Sequence, residues 1–163
     1  MPAYTTRMPA GIPGDVTRPS QATIETGIFN SAAAFAGYGL FGKLSSNKFV
    51  PVGSGDAASA CYGVLVRPYP VTGANASDPL GTAVPPTTGA ADILRRGYIN
   101  VKNNSGTPAA GGQVYIRVAA AAAGKPIGGI EAAADGSNTI APSNCIFTGS
   151  ADSSGNVEIA FNI

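Results

Sequence analysis

The chain has 163 residues, of which 44% are apolar and 12% are charged, whereas a soluble domain typically carries about 25% charged residues. This length fits one domain, with or without an extended arm, and is short for a two-domain enzyme. Ten Lys and Arg residues against nine Asp and Glu residues leave no sustained positive field, so we expect no nucleic-acid partner. A largely neutral surface has little charge repulsion to prevent association. We therefore favour a chain that functions in contact with other chains over a small Ala-rich protein with no obligate partner.

The first 20 residues form a segment that is rich in proline and glycine, which oppose helix, and we therefore predict an extended arm at residues 1–20 and a β-rich body at residues 21–163. Met8 and Ile12 give this arm apolar side chains that need a surface to dock against. The arm lacks the apolar core of a secretory signal, and no run of 18 apolar residues occurs anywhere in the sequence. We accordingly expect no membrane partner.

The body begins with a mixed segment, residues 22–37, to which no strand is assigned, and continues as short apolar or alternating runs separated by turn residues. Tyr38–Leu44 and Lys48–Val52 resemble a hairpin, and Pro51 places its second strand at a sheet edge. Between two later strands, residues 71–89 form a long polar, proline-rich loop. The predicted strands that follow the hairpin are Tyr62–Val66, Asp92–Lys102 and Val114–Val118.

The C-terminal part continues the same pattern. Asp135-Gly136 indicates a tight turn between Ile130–Ala134 and Thr139–Ala141. In the last segment, Val157 to Ile163, apolar and polar residues alternate in the clearest half-buried strand of the sequence. The spacing of the strands predicts an all-β fold, a single β-barrel or jelly-roll-like sandwich with an extended N-terminal arm.

The sequence offers little catalytic chemistry. It contains no histidine, which removes Ser-His-Asp and Cys-His catalysis, and its glycine pairs lack the P-loop pattern. A glycosidase needs two carboxylates in one cleft, and the spacing of the acidic residues brings no pair together. Two Asp-containing turns, at residues 135–138 and 152–156, lack the twelve-residue acidic loop of a calcium site. We therefore predict no enzyme activity, no metal and no cofactor. The acidic residues considered for a sugar site are Glu25, Asp92, Glu131 and Asp152, and Glu158 is expected to be solvated or part of an interface.

Two pairs of residues leave alternatives open. Cys61 and Cys145 lie 84 positions apart with no C-x-x-C spacing, and free thiols are favoured over a disulfide. Arg95 and Arg96 are adjacent, so in a strand they point to opposite faces and cannot share one ligand. Either they cover a sheet edge and face solvent, or one of them contacts a neighbouring subunit.

Taken in order, several blocks of the sequence are similar to those of the structural cement, or head-decoration, proteins of tailed bacteriophages. The blocks are RMPAGIPGDVTRP at Arg7–Pro19, YGLFGK at Tyr38–Lys43, YGVLVRPYP at Tyr62–Pro70, ADILRRGYINVKNNSGTPAAGGQVYIRV at Ala91–Val118, GGIEAAADGSNTIA and the closing VEIAFNI. The resemblance covers nearly the whole chain, and it rests on the order of the blocks because no single block is a specific signature.

This resemblance implies a non-catalytic protein made in the host cytoplasm that binds the exterior of the expanded capsid across major capsid protein subunits. Neighbouring copies of the chain are the second implied partner, as a dimer or a trimer. A tail- or fibre-associated adhesion module, or a sugar-binding protein, are the alternatives. The residues expected to contact the capsid or another subunit are Arg7, Met8, Ile12, Arg18, Arg95 and Arg96.

Overall fold

A computed structural model describes residues 11–68 and 83–163, and these ranges contain ten β-strands and three single-turn 3-10 helices. The all-β prediction is confirmed, whereas closure into a barrel or jelly roll stays a prediction. The strands are β1 (Thr23–Ile28), β2 (Phe41–Ser45), β3 (Lys48–Pro51), β4 (Gly63–Leu65), β5 (Ala90–Lys102), β6 (Tyr115–Arg117), β7 (Ile130–Glu131), β8 (Thr139–Ile140), β9 (Cys145–Phe147) and β10 (Asn156–Phe161). The 3-10 helices are Pro19–Gln21, Ala58–Ala60 and Gly136–Asn138. No helix in the described ranges is long and apolar enough to cross a membrane.

The strands form two antiparallel sheets. The larger has the order β3-β2-β4-β5-β10-β9, with β1 also paired to β5, and the smaller has the order β7-β6-β8. The 13-residue strand β5 is the centre of the larger sheet. Leu94 pairs with both Ile24 of β1 and Val64 of β4, so these two strands flank the first half of β5 on opposite edges. The second half of β5 pairs with β10.

The segment before β1 also joins this sheet. The backbone N–H of Gly14 donates to the carbonyl of Asn100 at 2.8 Å, and that of Thr17 donates to Tyr98 at 3.1 Å. Gly14 has a φ of +94°, and a Cβ atom there would lie 2.7 Å from the Cβ of Tyr38, so a glycine is needed for this approach. Val16 bridges Ile99 and packs against the core. Residues 14–17 are therefore held along β5.

Strand β5 contributes side chains to two apolar clusters. Leu94, Ile99 and Val101 belong to the larger cluster, and Ile93 belongs to the smaller one. In the smaller cluster the rings of Phe35 and Phe49 stack with centroids 4.9 Å apart. Both faces of β5 are thus buried along much of its length.

The predicted hairpin is confirmed. Strands β2 and β3 pair in register from Gly42–Pro51 to Ser45–Lys48. The two residues of the turn, Ser46 and Asn47, have φ values of +49° and +62°, which corresponds to the type I′ turn that matches the twist of a hairpin. Strand β3 is the last in its sheet, as the position of Pro51 predicts.

Of two expectations for the C-terminal half, one is confirmed and one is wrong. Residues 136–138 form a 3-10 turn directly after Asp135, between β7 and β8, and each of these strands pairs with β6. The alternation at the chain end stops at Phe161, and Ile163 is 56% exposed beyond the strand. Asn162, with a φ of +56°, turns the chain away from the sheet.

Candidate functional site

The residues predicted to contact other subunits have different surroundings. Arg7 and Met8 lie outside the described residues, and Ile12 is half-buried. Three of the predicted arginines lie in the described part of the chain. Arg18 precedes β1, and Arg95 and Arg96 lie within β5. Because the three differ in their contacts, each is described in turn.

Arg18 ties the N-terminal segment to β10. Its guanidinium lies 3.8 Å from the centroid of the Tyr98 ring, and its Nη2 atom lies 2.8 Å from Oε1 of Glu158. The hydroxyl of Thr17 also donates to Glu158. Burial favours a higher pKa for this carboxyl, but hydrogen bonds from Thr17, Thr148 and Arg18 outweigh burial and lower the pKa. Glu158 therefore has partners within its own chain.

Arg95 contacts side chains on both sides of β5, Glu25 of β1 and Tyr62, which directly precedes β4. Its guanidinium lies 3.5 Å from the ring centroid of Tyr62 and donates to the Tyr62 carbonyl. Its Nε atom is 3.3 Å from Oε2 of Glu25, an ion pair without hydrogen-bond alignment. The Tyr62 hydroxyl donates to the same carboxylate at 2.6 Å. The three side chains form a closed group that leaves little of Arg95 for an external ligand.

Arg96 is different because it is exposed and has no ion-pair partner within residues 11–68 and 83–163. Arg96 pairs with Thr23 of β1, at a point where the register of the two strands shifts between Thr23 and Ile24. An exposed, unpaired cation at this position is available to a ligand or partner.

Strand β1 exposes two apolar side chains. Ile24 and Ile28 are 46% and 58% exposed, and the sheet register places both on the face of Leu94. Gly27 lies on the other face, where a Cβ would be 2.6 Å from Ile93. The outer face of β1 is thus a surface of Ile24, Thr26 and Ile28 next to Arg96, and we call it the β1 surface.

A groove with a volume of about 480 Å³ lies among Arg18, Tyr98, Ile146, Ala160 and Ile163. In the sheet register Tyr98 pairs with Ala160, and Ala160 pairs with Ile146, so a small side chain lies between two larger ones. The cation that lines this groove is already paired with Glu158. The groove therefore offers mainly apolar and neutral contacts.

A buried ion pair that the sequence did not reveal holds the smaller sheet together. Arg117 and Glu131 are each 1% exposed, and Nε and Nη2 of Arg117 lie 2.5 and 3.0 Å from the two carboxylate oxygens of Glu131. Nη2 also donates to Asp135 at 2.7 Å, and Nη1 donates to two backbone carbonyls. Hydrogen bonds to Glu131 and Asp135 raise the pKa of Arg117. The hydrogen bond from Arg117 in turn holds the pKa of Asp135 below its ordinary value. This arrangement is a structural support.

Three of the four carboxylates considered for a sugar site have partners within the fold. Glu131 pairs with Arg117 and Glu25 with Arg95, while Asp152 accepts bonds from the backbone N–H groups of Ser154 and Asn156. Among the described residues, no three acidic or cysteine side chains are grouped as metal ligands. Asp135, in the first turn considered for calcium, is engaged by Arg117.

Cys61 and Cys145 are both free thiols. Burial, with a contribution from Asp56, raises the pKa of Cys61 to about 11, and burial also raises the pKa of Cys145. Since the thiolate is the reactive form, both side chains are inert at neutral pH.

Comparison with known proteins gives a consistent set of matches. Residues 1–161 match the family model described as XM1 gp53 minor capsid protein. A solved structure, "The capsid of Myoviridae Phage XM1", has a chain that aligns with a TM-score of 0.71 at 16% sequence identity, covering 98% of this chain and 95% of that one. At this identity the alignment establishes a shared fold. Comparison with curated protein sequences gives no match.

Proposed function

Because the chain belongs to the XM1 gp53 minor capsid protein family, and is therefore a structural protein associated with a phage capsid, we propose that it is a cement protein. In this role it binds the outer surface of the assembled head across major capsid protein subunits and stabilises the shell. A cement protein acts by burying surface at subunit junctions and needs no catalytic activity.

The observation that carries this proposal is the contrast between Arg96 and the other arginines near β5. Arg18 and Arg95 are each paired with a carboxylate and an aromatic ring. Arg96 has no ion-pair partner in the described part of the chain and lies beside the exposed Ile24 and Ile28. Unpaired charge next to exposed apolar side chains is the composition expected of a protein–protein contact.

The arm is the second element of the proposal. We propose that the part of the arm before residue 14 reaches a neighbouring subunit and contacts it through Arg7, Met8 and Ile12. Arg18 contacts the same subunit from the base of the arm, because its side chain is 45% exposed beside Glu158. Residues 14–17 give the arm a fixed base because they are bonded along β5. An arm with an ordered base loses less conformational entropy when it binds than a free segment does.

Repetition on the shell strengthens each contact. A ligand that binds only the assembled shell stabilises it by mass action, and an icosahedral shell offers the same site many times. Contacts between neighbouring copies, as dimers at twofold axes or trimers at threefold axes, would add avidity. A modest affinity per copy then suffices for a stable particle.

The proposal is tested by reconstitution. Heads stripped of this protein are mixed with the purified chain, and bound protein is measured together with the temperature at which the heads release DNA. We expect saturable binding and a higher release temperature than for stripped heads incubated with buffer. Failure to bind expanded heads would refute the cement role, and immunogold label at the tail with none over the head would support an adhesion module instead.

A further inference from the structure

In the part of the chain that the structure describes, no strand covers the outer edge of β1. Within the described residues, β1 pairs along its length only with β5. A single bridge between Phe29 and Phe49 lies just beyond its C-terminal end, so the open stretch is Thr23 to Thr26. An unprotected strand edge is a template for another strand, and proteins normally cover such an edge.

The hydrogen-bond pattern fixes which backbone groups face outward. The N–H of Phe29 donates to Gly89 at 3.0 Å, and because bonded and non-bonded pairs alternate in an antiparallel ladder, Gly27 and Glu25 also bond to β5. A second bond supports this pattern. The Asp92 carbonyl accepts a hydrogen bond at 2.8 Å from the N–H of Val66, which directly follows β4, so this carbonyl points away from β1. The N–H and C=O groups of Ile24 and Thr26 therefore point away from β5.

The side chains beside this edge favour a particular partner. Ile24, with Ile28 further along, gives two exposed apolar side chains at alternate positions, the spacing at which an added strand places its own side chains. Arg96 pairs with Thr23 at the start of β1 and has no ion-pair partner within residues 11–68 and 83–163. A partner strand that brings a carboxylate to this end of β1 would neutralise it.

We propose that the β1 edge accepts an extended segment of a different protein of the capsid shell, with alternating apolar side chains and one carboxylate that pairs with Arg96. The inference rests on the proposed cement function and names the part of the chain that makes the contact. A second copy of β1 fits less well, because the face of Ile24, Thr26 and Ile28 supplies no carboxylate. Its one acidic residue, Glu25, lies on the other face and is paired with Arg95.

The test uses Thr26→Pro, which removes an outward N–H that β5 does not use, so the β1–β5 ladder keeps its bonds. Thr26→Val is the matched control, since it keeps the N–H and suits a strand. In the reconstitution assay on stripped heads, Thr26→Pro is expected to weaken binding by about tenfold or more, and Thr26→Val by less than about threefold. Circular dichroism and thermal melting confirm that both variants are folded.

A second pair of variants tests the charge and does not depend on the fold tolerating proline. Arg96→Glu is expected to weaken binding by about tenfold or more, whereas Arg96→Lys is expected to retain most of it. If wild type binds heads and both Thr26→Pro and Arg96→Glu bind equally well, the edge is not the contact and only the cement role stands. If wild type sediments as a dimer that Thr26→Pro dissociates, the edge binds a second copy and the stated partner is wrong. If wild type does not bind heads at all, the cement role and this inference both fail.

Discussion

Removing Glu131 should destabilise the protein far more than its place in a two-residue strand suggests. Glu131→Leu leaves the Arg117 guanidinium 1% exposed without the carboxylate that accepts two of its bonds. Breaking a buried ion pair by removing one partner costs about 3–5 kcal/mol, out of a total of about 5–15 kcal/mol for a typical domain. For a chain of this length about 4 kcal/mol corresponds to a fall in Tm of roughly 8–16 °C.

The assay is thermal and chemical unfolding of a double-mutant cycle. The variant Arg117→Met with Glu131→Leu removes both charges and is expected to be more stable than Glu131→Leu alone, because an apolar pair leaves no buried charge. Lys43→Met is the control, since the Lys43–Asp56 pair at 2.7 Å keeps 29% and 15% of its side chains exposed and should contribute about 1 kcal/mol. A Glu131→Leu protein as stable as Lys43→Met, or a double variant less stable than either single one, would refute the reasoning.

Two further outcomes are expected. Because the pKa of Glu158 is lowered in the fold, its contribution to stability is present above the ordinary pKa and lost as pH falls through the folded pKa. The Tm difference between wild type and Glu158→Gln should therefore shrink from pH 7 to about pH 3, and a difference that is constant across this range in calorimetry would contradict the assignment. The left-handed turn predicts that Ser46→Asn with Asn47→Gly, the favoured type I′ pair, raises the unfolding free energy by about 1 kcal/mol in urea titrations. A loss of stability would show that the turn is not of this type.

Local patterns predicted the elements whose determinants are close together in the sequence. The β2–β3 hairpin has turn residues between two apolar runs, and β10 has a clear alternation from Val157 to Phe161. Strand β1 was missed because TIETGI has only two large apolar residues, and in the fold both remain exposed. Its strand conformation depends on pairing with β5, some 70 residues later, which no local pattern contains.

The burial of Arg117 was hidden for a related reason. In VYIRV the alternation of Val114, Ile116 and Val118 assigns Arg117 to the polar face of its strand. That face is covered by Glu131 and Asp135, which come from a later part of the chain. Alternation identifies two faces but cannot say that both are buried, and the same limit applies to β5. Alternation also predicted that Arg95 and Arg96 point in different directions. Only the fold showed that Arg95 is paired with Glu25, whereas Arg96 has no ion-pair partner within residues 11–68 and 83–163.

The central position of β5 also has a consequence for the order of events during synthesis. Its backbone partners extend from Gly14 near one end of the chain to Phe161 near the other. Pairings of such large sequence separation form slowly, since a long loop must close before any contact is gained. The larger sheet cannot be completed until β10 has left the ribosome, so a chain on which β10 is still being made lacks a finished sheet. For the cement function proposed above this delay is useful, because unfinished chains present no complete surface to the capsid.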